Sequence, residues 1–243
     1  MSNSKLLFEF GRYEFELRIL DRKVVYLKNK ASGQIVPLMM EGTFHRDGVV
    51  LGSAGYTDPE GSFDAEFEET ADCYYGHQTE NGYFIPQRRA YPKSQWECVL
   101  KPGDQIMLIH IPEGADITAE YVMEAIRDVR PYIRKNYPGW DPVALHSGSW
   151  LLSPLMEQIL GKESKIAKFA ALFNTYPILS PGTSVFSFIF KMKLEDNQVL
   201  PSREVMEALP ENTRLERALK QMYLDGKAIL TYNGAIFWDK DEK

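Results

Sequence analysis

Cysteine is scarce in this 243-residue chain: only Cys73 and Cys98 occur. Two thiols in a chain of this size do not make a disulfide scaffold, so the expected setting is a reducing cytoplasm. No CxxC pair is present, and His45, His77, His110 and His146 are spaced too evenly to suggest a metal site. No apolar run approaches the roughly 20 residues that cross a bilayer, and MSNSKLLFEFGRYEFELR has no signal-peptide core. Basic charge is not in excess either. The formal net charge is −6, which argues against a nucleic-acid surface. HSGSW is not Gly-x-Ser-x-Gly, so a Ser149–His146 hydrolase is a remote alternative.

What is present fits an ordinary globular protein, with 44% hydrophobic and 26% charged residues. The first half reads as β-rich. FEFGRYEFELRIL alternates as one half-buried strand, and RKVVYLKN and QIVPLM form a hairpin around Ser32-Gly33. Asp47-Gly48 marks another turn, and GSAGYTDPEG a loop from Gly52 to Gly61. Residues 76 to 92 look turn-rich and irregular, with a small basic-aromatic stretch at Arg88, Arg89, Tyr91, Lys93 and Trp96 that reads best as a solvated loop.

The second half alternates strand and helix. WECVL, the KPGD turn and QIMLIHI lead to a helix capped by Thr118, with Val122, Ile126, Val129 and Ile133 on its buried face. Pro131 should kink or end that helix. PVALHSGSWLL is a second short strand, whose alternation puts His146, Gly148 and Trp150 on one face and Ser147 and Ser149 on the other. Ser153 and Pro154 start a helix that Gly161 stops, SKIAKFAALF forms another, and SVFSFIFKM reads as a strand. Thr213 and Glu216 make a capping box for a helix ending at Gly226, and KAILTYNGAIFW is a hairpin turning at Asn233-Gly234. The class is therefore α+β, one mixed sheet flanked by helices. A β-rich part over 1–95 precedes a second part over 96–243, the two expected to form one compact unit.

The loop between QIMLIHI and the Thr118 helix carries the first functional signal. Backbone N–H groups at a helix start lack helical partners and face a positive dipole end, and Gly114 lets an anion approach. Residues Ile111, Gly114, Ala115 and Thr118 could therefore cradle a pyrophosphate, or simply form a turn.

WECVLKPGDQIMLIHIPEG, HSGSWLLSPLMEQIL, ESKIAKFAALF and LPENTRLERALKQMYLDG together resemble the bacterial GNAT-like acyltransferases, in their GNAT-like C-terminal domain. FGRYEFEL and the GHQ stretch at Gly76 resemble that family's lead-in, so the likeness spans most of the chain. Longer relatives place a helical domain before FGRYEFEL, where this chain begins. IPEGADI stands where the general GNAT loop has Gln/Arg-x-x-Gly-x-Gly/Ala. The resemblance implies a GNAT-like acyl-CoA N-acyltransferase fold, splayed between two neighbouring parallel strands, with CoA in the split. It implies acetyl-CoA or another acyl-CoA as co-substrate and a small-molecule or peptide amine as acceptor. The alternative is a GNAT-like module that binds a ligand or partner without transfer. Within that frame His110 is a candidate general base or a structural histidine holding the strand end, with His146 a lesser candidate. Ser149 is a thiolate donor or a structural hydroxyl. Trp150 walls an acyl pocket or fills the core. The family's usual acid, a tyrosine on the following helix, has no counterpart in SPLMEQILG.

Overall fold

The computed structural model describes residues 6–45, 60–80, 82–112, 114–195, 200–225 and 229–238. The Asp47-Gly48 turn, the loop before Glu60, and the helix stop at Gly226 lie outside them. The strands of the first half are β1 (Leu6–Phe10), β2 (Tyr13–Ile19), β3 (Val24–Asn29), β4 (Ile35–Met39), β5 (Thr43–His45), β6 (Ser62–Asp64), β7 (Glu68–Glu69), β8 (Cys73–Glu80) and β9 (Tyr83–Pro92). Then come β10 (Trp96–Leu100), β11 (Gln105–His110), α1 (Ala119–Asn136), β12 (Ala144–Ser149), α2 (Leu155–Leu160) and α3 (Lys165–Ala170). The chain closes with β13 (Asn174–Pro181), α4 (Ser184–Phe188), α5 (Arg203–Glu207), α6 (Arg214–Leu224) and β14 (Leu230–Phe237).

The α+β class holds, with strands in two larger sheets and a two-stranded one. One sheet runs β1-β2-β11-β12-β14-β13; the other runs β10-β3-β4-β8-β7, with β9 on β8. The first sheet draws strands from both halves of the chain. Its one face packs on α1 through Val122, Ile126, Val129 and Ile133 against Phe15, Leu17, Met107, Ile109 and Leu145. Its other face meets the second sheet across Leu20, Val24, Tyr26, Ile106, Ala144 and Tyr176. The α4–α6 end encloses a separate core around Trp150, Met156, Phe186 and Tyr223.

Several expectations are corrected. FEFGRYEFELRIL is two strands, because Gly11 adopts φ 63° and turns the chain between Phe10 and Tyr13. Residues 76–92 are no irregular loop: β8 and β9 pair from Cys73–Pro92 to Glu80–Tyr83. The missed signal was Asn81-Gly82, a two-residue hairpin dipeptide. The basic residues there are ion-paired: Arg88 and Arg89 on β9 meet Glu68 and Glu80, and Lys93, in the turn after it, meets Glu69. α1 does not end at Pro131 but runs through to Asn136. SVFSFIF is helical, since Val185, Phe186 and Phe190 reach one core at helical spacing.

The Asn233-Gly234 hairpin is also wrong. β14 is one continuous strand, hydrogen-bonded to β12 on one side and β13 on the other. Asn233 is buried and its amide donates to the Tyr176 hydroxyl at 3.2 Å. Gly234 serves close packing: a Cβ there would stand 2.8 Å from Phe173 Cβ and 3.0 Å from Thr175 Cγ2. Here glycine admits a neighbour instead of turning the chain.

Candidate functional site

β11 and β12 are parallel neighbours joined by α1, as the crossover length requires. Their pairing is short. Val143 donates to the Gln105 carbonyl at 2.9 Å, and the register covers only Met107–Leu145 and Leu108–His146. Beyond that point Ile109 and His110 remain paired to β2, while Ser147 to Ser149 remain paired to β14. The two strands thus part at their C-terminal ends, inside a continuous sheet.

The loop to α1 sits at that opening. Gly114 has φ 79°, a left-handed conformation that favours glycine. Tyr13 donates its hydroxyl to the Asp116 carbonyl, tying the loop to β2. Burial, with Tyr121 and Asp116 nearby, pushes the Tyr13 phenol up to about 12, so it stays a donor at neutral pH. Thr118 precedes the helix as expected, but its side chain caps nothing. Instead Asp116 accepts from the Thr118 N–H at 2.9 Å, and this bond, with Lys165 and Arg12 nearby, holds its carboxyl below the usual range. The N–H groups of Ala119, Glu120 and Tyr121, in the first turn of α1, have no acceptor within the helix. Ile111 and Ala115 pack partly buried against the α1 core.

His110 lies at the open end of β11, and the sequence reading missed its partners. Its Nε2 is 3.2 Å from Oε2 of Glu16, and Glu16 Oε1 accepts from Arg18 Nε at 2.8 Å. The His110 side chain is 48% exposed and that of Glu16 only 8%, so the imidazole is reachable while the carboxylate behind it is shielded. With Nε2 donating to the carboxylate, Nδ1 keeps its lone pair free to accept a proton. Glu16 lies on the polar side of the β2 alternation, with Glu14 and Arg18, yet it is buried.

The other predicted residues separate. His146 is buried in the same face of the sheet, its Nε2 without a hydrogen-bond partner among the described residues. Burial, then Arg22 and Arg18 against an opposing Asp21, push it down to about 4, so it is neutral at physiological pH. Ser149 accepts from Leu151 N–H at 3.1 Å and starts the 3-10 turn Trp150–Leu152. Trp150 therefore does not continue the strand alternation; it is buried in the core under α4–α6. Gly148 is fixed by Asn233, whose Oδ1 would lie 2.6 Å from an added Cβ.

A cavity of about 190 Å³ opens beside the parting strands. Leu108, Ile109 and His110 line it from β11, His146 to Gly148 from β12, and Leu20 to Arg22 from the connection after β2. Among the described residues no group of three or more His, Cys, Asp or Glu is placed to hold a metal, and no helix is long and apolar enough to cross a membrane.

A model of the GNAT-like C-terminal domain family matches residues 7–236. No curated protein matches the chain. Among solved structures, the chain is similar to an acyltransferase in complex with decanoyl-CoA, at 21% identity over 71% of this chain and 46% of that one, TM-score 0.46. It is also similar to an acyltransferase in complex with decanoyl-CoA and teicoplanin, at 19% identity over 71% and 47%, TM-score 0.47. The chain thus spans less than half the length of these structures.

Proposed function

The chain belongs to the GNAT-like C-terminal domain family, and from that premise we propose that it transfers an acyl group, acetyl in the simplest case, from acyl-CoA to an amine. The observation that carries this reading is the parallel β11–β12 pair that parts after two rungs beside a helix N-terminus. In this reading the pantetheine arm enters between the strands and the thioester comes to rest near His110. The first-turn N–H groups of Ala119 to Tyr121, with Arg12 and Lys165 near Asp116, receive the phosphates at the Gly114 loop. The acceptor nitrogen attacks the thioester carbonyl carbon, the new C–N bond forms and the C–S bond breaks. His110 Nδ1 takes the proton from nitrogen, and that proton is returned to the departing thiolate. Glu16 orients the imidazole and stabilises its charged form. Ser149 has a hydroxyl proton left to donate, since its oxygen only accepts at the 3-10 turn.

Thiol release from acetyl-CoA and longer acyl-CoAs, with a panel of amines, tests this. His110→Ala should lower kcat by roughly 100-fold or more with little change in KM for acyl-CoA. A variant with wild-type kcat and pH profile would remove His110 from the chemistry. A second reading, a module that binds without transfer, draws on Asp116, whose carboxylate already occupies a helix-start donor. Acyl-CoA binding with no thiol release to any amine would favour it.

A further inference from the structure

The cavity beside His110 has two unlike ends. At one end stands the half-exposed imidazole. At the other are Asp21 and Arg22, both exposed at the mouth, and neither engaged in an ion pair or side-chain hydrogen bond among the described residues. Arg18, which also lines it, is bonded to Glu16. Between the ends the wall is apolar, formed by Leu20, Ile106 and Leu108. The floor holds His146, buried and with Nε2 unpartnered. Buried polar atoms normally have partners, so this one marks a place where a ligand or its bound water completes the set.

An acceptor that matched all of this would carry one positive and one negative charge at one end, a short methylene chain, and a primary amine at the other. We propose that the cavity is the acceptor site and takes a basic α-amino acid of the lysine or ornithine type. Its carboxylate meets Arg22, its α-ammonium meets Asp21, its methylenes lie on Leu20, Ile106 and Leu108, and its side-chain amine reaches His110. The inference rests on the acyl-transfer reading. In that step the side-chain nitrogen bonds to the acyl carbon, the thioester C–S bond breaks, and the proton passes from nitrogen to His110 and on to the departing thiolate, so that CoA leaves as the thiol. A plain diamine would leave Arg22 unmatched, and an amino acid lacking the α-amine would leave Asp21 unmatched.

The test compares lysine and ornithine with cadaverine and 6-aminohexanoate, first by calorimetric binding to the full chain, then by thiol release from acetyl-CoA. Lysine or ornithine should bind and turn over at least tenfold better than either analogue. Arg22→Gln should erase the advantage over cadaverine, and Asp21→Asn the advantage over 6-aminohexanoate. Both positions are exposed, so circular dichroism should show folded variants. Equal use of cadaverine and lysine, with Arg22→Gln indifferent, would overturn the proposal and leave acyl transfer standing. Thiol release with no amine at all would overturn acyl transfer, and the acceptor assignment with it.

Discussion

His146 makes the stability of this fold depend on pH in a calculable way. The ordinary imidazole value is about 6.5, and burial beside Arg22 and Arg18 lowers it to about 4 in the folded chain. Between those values the unfolded chain binds a proton that the folded chain refuses. Stability therefore rises with pH across that window: the contribution is complete above about 6.5 and is lost as pH falls toward about 4. At 1.36 kcal/mol per unit the loss is about 3 kcal/mol. The side chain is almost fully buried, so solvent screening removes little of it. The charged groups around it are Arg22, Arg18 and Asp21, with Asp21 opposing the two arginines. Urea unfolding of the wild type and of His146→Gln at pH 7, 6, 5 and 4 measures it, since the variant keeps a polar side chain that does not titrate. The wild type should lose about 3 kcal/mol more than the variant between pH 7 and pH 4. Parallel stability curves would refute the reasoning and mean that the folded chain protonates His146 as readily as the unfolded one does.

Two further substitutions test the packing and the dyad. Gly234→Ala should cost about 1–3 kcal/mol, because β14 is held on both sides and the new Cβ would press on Phe173 and Thr175; calorimetric unfolding should show Tm lower by several degrees, and an unchanged Tm would mean β13 can yield. Glu16→Gln should lower kcat by at least tenfold with little change in the KM for acyl-CoA, since the Glu16 carboxylate is bonded to the His110 imidazole; a variant with full kcat would make Glu16 a structural carboxylate only.

Where the sequence was legible, the local signal and the tertiary demand agreed. The four apolar positions of α1 and the Thr213–Glu216 capping box state a helix, and packing asks for one. Where it was misleading, one local signal served two purposes. The first Asn-Gly pair of the sequence falls between the paired ends Glu80 and Tyr83 of β8 and β9, whereas Asn233-Gly234 lies mid-strand, where Asn233 binds Tyr176 and Gly234 makes room for Phe173. The dipeptide alone does not distinguish them. The candidate site divides the same way. His110 stands out in the sequence because it ends a strand before a glycine loop. Glu16 was not singled out because alternation groups it with the polar residues of β2, whereas tertiary packing buries it.

The account stands on acyl-CoA occupying the opening between β11 and β12. Titration calorimetry of the chain with CoA and acetyl-CoA, at two temperatures and up to millimolar ligand, tests it most directly. The account predicts one-to-one binding, weakened at least tenfold in Gly114→Val, which forces a β-branched residue into a left-handed loop position. No heat from either ligand at either temperature, or equal binding by the Gly114→Val variant, would contradict it.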